Sequence, residues 1–296
     1  MKRRIGLVLA VILAGILAAS LVGCGGSGSG SSSGSSSGSP SRAYKIAVPS
    51  DTTNEARALL LLEGQGLIKL RAGAGLTATK NDIVENPYNI DIVEAEAASL
   101  PRILPDVDFA VINGNYALSA GINTSSALIG EDAASDAAVE YANIVAVRAK
   151  DSGSEKTRVL VEALQSPEVQ KYITDTYDGA VIPVKIPAHP VLDGIEPADK
   201  VIKVGASPAP HAQILEFARP LIEKEGYTLQ VIEFSDYVQP NVALSEGDLD
   251  ANYFQHFPYL QDYNTKNGTT IASAGKIHFE PLCVYPGKLK SLSDIK

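Results

Sequence analysis

A chain of 296 residues, 45% of them hydrophobic, is long enough to bury two modest cores or one large one. Its formal net charge of −9, with no cluster of Lys and Arg beyond the extreme N-terminus, argues against nucleic acid as a partner and mainly signals solubility. The two cysteines and four histidines show no metal-ligand spacing, and neither a G-x-S-x-G elbow nor a P-loop is present, so no metal, cofactor or catalytic set is expected.

The N-terminus has three zones: the positive Lys2-Arg3-Arg4, an apolar run from Ile5 to Ser20, and Leu21-Val22-Gly23-Cys24, with small residues before a cysteine. This resembles a bacterial lipobox. The resemblance implies cleavage before Cys24, lipidation of its sulfur and anchoring to the extracytoplasmic face of a bacterial membrane. An uncleaved transmembrane helix is the alternative, because the run approaches the roughly 18-residue threshold for a span. With Cys24 lipidated, Cys283 is the one remaining thiol and no intramolecular disulfide is possible. Gly25 to Ser41 is almost wholly Gly and Ser, a flexible tether, and folding is expected from about Arg42.

Tyr44 to Val48 predicts a strand that runs through a Pro/Ser/Asp loop into a helix over Glu55 to Glu63, the opening of a βαβ unit. Arg57 on that helix's first turn opposes the helix dipole unless something negative faces it. A ligand carboxylate would serve, since a guanidinium offers a bidentate fork; a surface pair with Glu55 or Glu63 is the plainer alternative. A helix is expected from Thr79, a strand at Asp91 to Ala95, and a helix start over Ala97 to Leu104. Phe109 to Asn113 reads as a strand, Tyr141 to Val147 as another, then come helices over Glu155 to Leu164 and from Ser166-Pro167 to Tyr177, where Asp178-Gly179 ends the second. Ile182 to Asp199 is Pro-rich without period and reads as a connector. Lys203 to Gly205 repeats the opening order of strand, Pro/Ser loop and helix (Ala212 to Glu223), so two similar α/β units are expected, at about 44–118 and 200–260. Lys276 to Tyr285 reads as a strand broken by Pro281, suiting an edge or hinge.

The densest mix of rings, amides and imidazole is Asp250 to Tyr259. A short strand Leu249 to Tyr253 would place that cluster at a carboxyl end, where open α/β sheets bind ligands; Tyr253, Phe254, Phe257, Tyr259 and His256 could equally be satisfied core residues. The best polar set, Arg57, Asn113, Asn143, His256 and Tyr237 with aromatic walls, suggests a cage for a small zwitterion more than a machine for breaking bonds.

Several stretches, among them Asn54-Glu55-Ala56-Arg57, Asn113-Gly114-Asn115-Tyr116, Ala206-Ser207-Pro208-Ala209-Pro210-His211, Tyr237-Val238-Gln239-Pro240-Asn241 and Asn252-Tyr253-Phe254-Gln255-His256, resemble the NlpA/MetQ lipoproteins, the methionine-binding components of ABC importers. The resemblance implies an α/β, periplasmic-binding-protein-like fold of two lobes with a hinge and an interlobe cleft. It implies ligand contacts by Tyr237, Phe254, His256 and Tyr259 from one lobe, Arg57 and Asn113 from the other, and Asn143 on a crossing strand. The implied partners are L-methionine or a similar amino acid, an ABC permease with its ATPase, and the membrane through the lipid. An amino-acid-acting enzyme is the contrasting reading. The order of the halves is inverted relative to the family, as in a circular permutant: 44–140 would match the family's second lobe and 141–296 its first, with crossing strands near 141–147 and 277–285 and with Ile186 to Lys200 joining the old ends. Replacing the lipobox nucleophile, Cys24→Ser, should leave an uncleaved precursor without lipid mass on mass spectrometry; continued processing at the same bond with acyl chains attached would rule the lipobox out.

Overall fold

In Phe109-Ala110-Val111-Ile112 every residue is buried, and successive side chains enter different cores: Phe109 and Val111 join one cluster, Ala110 and Ile112 another. Asn143 to Arg148 behaves likewise, with Val145 and Val147 in one cluster and Ile144 and Ala146 in the next. Burial on both faces with period two is the signature of a central strand covered on both sides. The chain thus forms two such sheets, each sandwiched between apolar layers.

The computed structural model describes residues 42–184 and 199–296; Cys24, the Gly/Ser tether and most of the connector from Ile186 to Lys200 lie outside the described residues. The strands in chain order are β1 (Tyr44–Pro49), β2 (Lys69–Leu70), β3 (Ile83–Glu85), β4 (Ile90–Ala95), β5 (Phe109–Ile112), β6 (Ile129–Gly130), β7 (Asn143–Arg148), β8 (Ile182–Pro183), β9 (Val201–Ala206), β10 (Thr228–Glu233), β11 (Ala251–His256), β12 (Ile271–Phe279) and β13 (Cys283–Pro286). The first sheet has the order β4-β1-β5-β13-β6 and the second β10-β9-β11-β7-β12-β8, while β2 and β3 pair separately. Parallel pairing of β1 with β4 and β5 is matched in the second sheet by β9 with β10 and β11. Next to these, β13 runs antiparallel to β5, and β7 antiparallel to β11.

Among the described residues the chain passes between the sheets twice, at 131–142 and, in three residues, at 280–282. The stretch Lys276 to Tyr285, expected as one broken strand, therefore divides into β12 and β13 in different sheets. No helix among the described residues is long and apolar enough to cross a membrane.

Helix ends follow their caps. Asp51 accepts the Asn54 N–H at 3.1 Å and starts the helix Thr52–Gly64 three residues earlier than expected. Ser154 and Ser166 cap Glu155–Leu164 and Pro167–Tyr177. The helix expected from Thr79 is instead one 3₁₀ turn, Lys80–Asp82, followed by β3: Asp82 accepts the Thr79 N–H at 2.9 Å, which closes a turn without extending it. The aromatic stretch extends β11 to His256 and turns at once into a helix, Phe257–Asn267, with Pro258 in its first turn.

Gly287 follows β13 where a Cβ would stand 2.4 Å from the Val107 carbonyl oxygen and 2.5 Å from that of Leu104. Both are backbone atoms and cannot swing aside. Gly287→Ala should therefore lower the unfolding free energy by about 2 kcal/mol, seen as a lower denaturant midpoint at unchanged slope; an unchanged midpoint would contradict this close approach.

Candidate functional site

A small cavity of about 20 Å³ lies between the sheets, and all seven residues expected from the sequence line it: Arg57 and Asn113 from the first lobe, Asn143, Tyr237, Phe254, His256 and Tyr259 from the second. Asn54, Gly114, Asn115, Gln255 and Glu280 complete the wall.

Arg57 is only 4% exposed. Glu55 and Glu63 do not pair with it; their carboxylates accept the backbone N–H groups of Lys80 and Leu70. The negative group facing the guanidinium is Glu131, 74 residues away on the first crossover, which accepts Nε at 3.0 Å and Nη2 at 2.5 Å. Burial alone would disfavour the cation, and the Glu131 carboxylate more than offsets that. The Tyr141 ring lies 4.2 Å beneath the guanidinium carbon, and burial pushes its phenol up to about 12.

One oxygen gathers the polar end. Asn54 Oδ1 accepts Arg57 Nη1 at 3.2 Å, Asn113 Nδ2 at 2.9 Å and His256 Nε2 at 3.2 Å. His256 also accepts the Tyr259 N–H at Nδ1, capping its own helix, so the ring proton must sit on Nε2. Burial, then the nearby Arg57 charge, drives its pKa well below 6.5, and the ring is neutral. Because Asn54 and His256 belong to different lobes, this bond latches them together. A second latch is the Tyr237 hydroxyl donating to Asn115 Oδ1 at 2.6 Å, backed by Tyr116 and Tyr237 rings 4.8 Å apart.

Two polar atoms of this end are buried without a hydrogen-bond partner among the described residues: the acceptor Asn113 Oδ1 and the donor Asn115 Nδ2. Beside them, Tyr237, Phe254 and Tyr259 form an aromatic wall with centroids 5.7–6.1 Å apart. The arrangement suits a small molecule with a charged, hydrogen-bonding head and an apolar tail. Tyr253, by contrast, is a core residue, fully buried with its hydroxyl on His278.

Residues 41–185 and 202–296 match the model of the NlpA lipoprotein family. The chain belongs to that family. Two α/β lobes joined by crossovers around a cleft give it the periplasmic-binding-protein-like fold that the motif resemblance implies. Among its relatives are outer membrane lipoprotein 3 of Mannheimia haemolytica, 47% identical over 46% of this chain and 51% of the relative, and the D-methionine-binding lipoprotein MetQ of Escherichia coli K12, 40% identical over 47% and 51%. The chain spans about half the length of the curated relatives it matches. A Burkholderia cenocepacia nutrient binding protein solved bound to methionine is 51% identical over 46% of this chain and 56% of its own, with a TM-score of 0.43.

Sequence reasoning within the family pattern missed Asn54, Asn115, Glu131 and Glu280 as site components. The first two stand inside the recognised motifs and were legible as amides beside Arg57 and Asn113; the two glutamates sit on crossovers, where no periodicity marks them. Spacing also hid a buried cluster, His211, His278 and Glu280, whose ligand atoms lie within 4.8 Å of one another. These residues have the chemistry to hold a metal, yet their protons are already allotted: Tyr253 meets His278 Nδ1, His278 Nε2 meets Glu280 at 2.7 Å, and His211 Nε2 meets Asn143 Oδ1 at 3.0 Å.

Burial holds His211 and His278 down at about 3, and His256 is depressed as well. The folded protein therefore refuses protons that the unfolded chain takes up near 6.5, so this stability is present above pH 6.5 and is lost as pH falls. Asp51 and Glu280 are raised by burial and act in the opposite sense. Three such histidines give a slope approaching about 4 kcal/mol per pH unit. The melting temperature should fall between pH 6.5 and 5; a flat or rising profile there would show that these rings are not held neutral.

Proposed function

We propose that the protein is a lipid-anchored substrate-binding component of an ABC importer that captures a free amino acid, methionine foremost, between its lobes and delivers it to a membrane permease. The observation that carries this reading is the pair of orphaned polar atoms beside the cavity, Asn113 Oδ1 and Asn115 Nδ2, with the rings of Tyr237, Phe254 and Tyr259 lining the same cavity. An α-amino acid brings a donor for the first and an acceptor for the second, and its side chain reaches the rings. Relatives named D-methionine-binding lipoproteins support methionine as the ligand. Arg57 spends Nε and Nη2 on Glu131 and Nη1 on Asn54, so its part is to lend positive potential and its remaining N–H groups to the carboxylate end.

Cys24 would carry the lipid and hold the protein in the bacterial envelope. We also read the order of the halves as a circular permutation. The two-segment family match and the half-length alignments support it.

Calorimetric titration of protein unfolded and refolded to strip bound ligand should give heat with L-methionine. Asn113→Ala should weaken that binding about tenfold to a hundredfold, the worth of a charge-assisted hydrogen bond. Phe254→Ala should lower affinity and broaden side-chain preference. Tighter binding of another amino acid would reassign the ligand, and an Asn113→Ala protein as tight as the parent would remove the polar-end assignment.

A further inference from the structure

Glu280 is the first residue of the three-residue crossover between β12 and β13, is 6% exposed, and lines the same cavity as Asn113 and Asn143. Its Oε1 lies 2.7 Å from His278 Nε2 and 3.4 Å from His211 Nε2. With its Nδ1 accepting the Tyr253 hydroxyl, the His278 ring gives its Nε2 proton to the carboxylate. Burial raises the Glu280 pKa, and against that a backbone hydrogen bond at Asn115 favours the anion. A Cβ at residue 114 would stand 2.8 Å from Oε2, so glycine there lets the turn carrying Asn113 and Asn115 close over the carboxylate.

The groups touching Glu280 are thus donors arranged for a carboxylate, yet none supplies charge. Both imidazoles are held neutral by burial, and among the described residues no lysine or arginine is in ion-pair contact with it. Arg57 acts on it from a distance but is paired to Glu131. A buried carboxylate without a contact cation is costly unless a cation arrives. The cavity offers one route for that arrival, and the orphaned acceptor Asn113 Oδ1 lines the same cavity.

Resting on the amino-acid reading above, we propose that Glu280 is the specificity-determining residue for the ligand's α-ammonium group, so that the cleft selects molecules carrying a primary amine and rejects their des-amino counterparts. Arg57 and the Asn115 amide read the carboxylate, the rings read the side chain, and the hinge carboxylate reads the amine.

The test titrates refolded wild-type protein, Glu280→Gln and Glu280→Asp with L-methionine and with 4-(methylthio)butanoate, which differs only in lacking the amine. Wild type should prefer methionine at least about a hundredfold. Glu280→Gln should lose at least about tenfold for methionine with little change for the butanoate, collapsing the ratio, while Glu280→Asp, which keeps the charge, should retain most of the preference. Equal losses for both ligands in Glu280→Gln, or none, overturn the proposal. So does a wild type that binds the butanoate as tightly as methionine, a result that needs no variant to fold. If wild type ignores methionine but binds another amino acid, the methionine assignment falls while the same comparison with that ligand's des-amino analogue still judges Glu280; binding of no amine at all overturns both.

Discussion

The buried pair of Arg57 and Glu131 is the constraint on which the remaining geometry rests. A guanidinium taken out of water must be paired, and breaking such a pair leaves an uncompensated charge worth several kcal/mol. Glu131 can serve because it stands on the long crossover, and it also accepts the Leu282 N–H of the short one at 2.9 Å, while its own N–H donates to the Leu282 carbonyl at 3.1 Å. One carboxylate thus fixes the arginine at the cavity wall and fastens the two crossovers to each other. The cleft lies where it does because both passages between the sheets are tied at that point.

Around this pair, Glu280 apart, the site is built from groups that are polar but uncharged. Three buried histidines are neutral, and Asn54 mediates between Arg57, Asn113 and His256 through a single oxygen. Neutral donors and acceptors can be exchanged for ligand contacts at modest cost, whereas each additional fixed charge would demand a permanent partner. This explains how so narrow a pocket can be widened: what spans it is a few ordinary hydrogen bonds and stacked rings across the lobes.

Local signals carried much of the fold. Serine caps and Pro167 marked two helices to the residue, and the fully buried strands were visible as apolar runs. The errors share a cause. Thr79 and Asp82 satisfy each other within one turn, which in sequence looks the same as the start of a longer helix. The helix after β11 was hidden because its first residues are aromatic and its cap is a histidine instead of Ser, Thr, Asp or Asn. At the site, Asn113, Asn143, His256 and Tyr259 stand at element ends within or near the marked motifs, Phe254 within its strand, Arg57 in its helix's second turn and Tyr237 on a loop, whereas the partner that keeps Arg57 charged is 74 residues distant. Long-range ion pairs leave no local trace in composition or period.

The unequal crossovers set how the two halves can part. Between Phe279 and Cys283 only Glu280, Pro281 and Leu282 intervene, and even fully extended they span on the order of 13 Å. The other passage, from Gly130 to Asn143, has slack several times greater. The short leash and the long one run side by side, fastened through Glu131 and Leu282, so any widening of the gap is that of a door and not of a drawer. The door's post stands beside Glu280, and its free edge carries Tyr237 and the Lys266 to Thr52 contact.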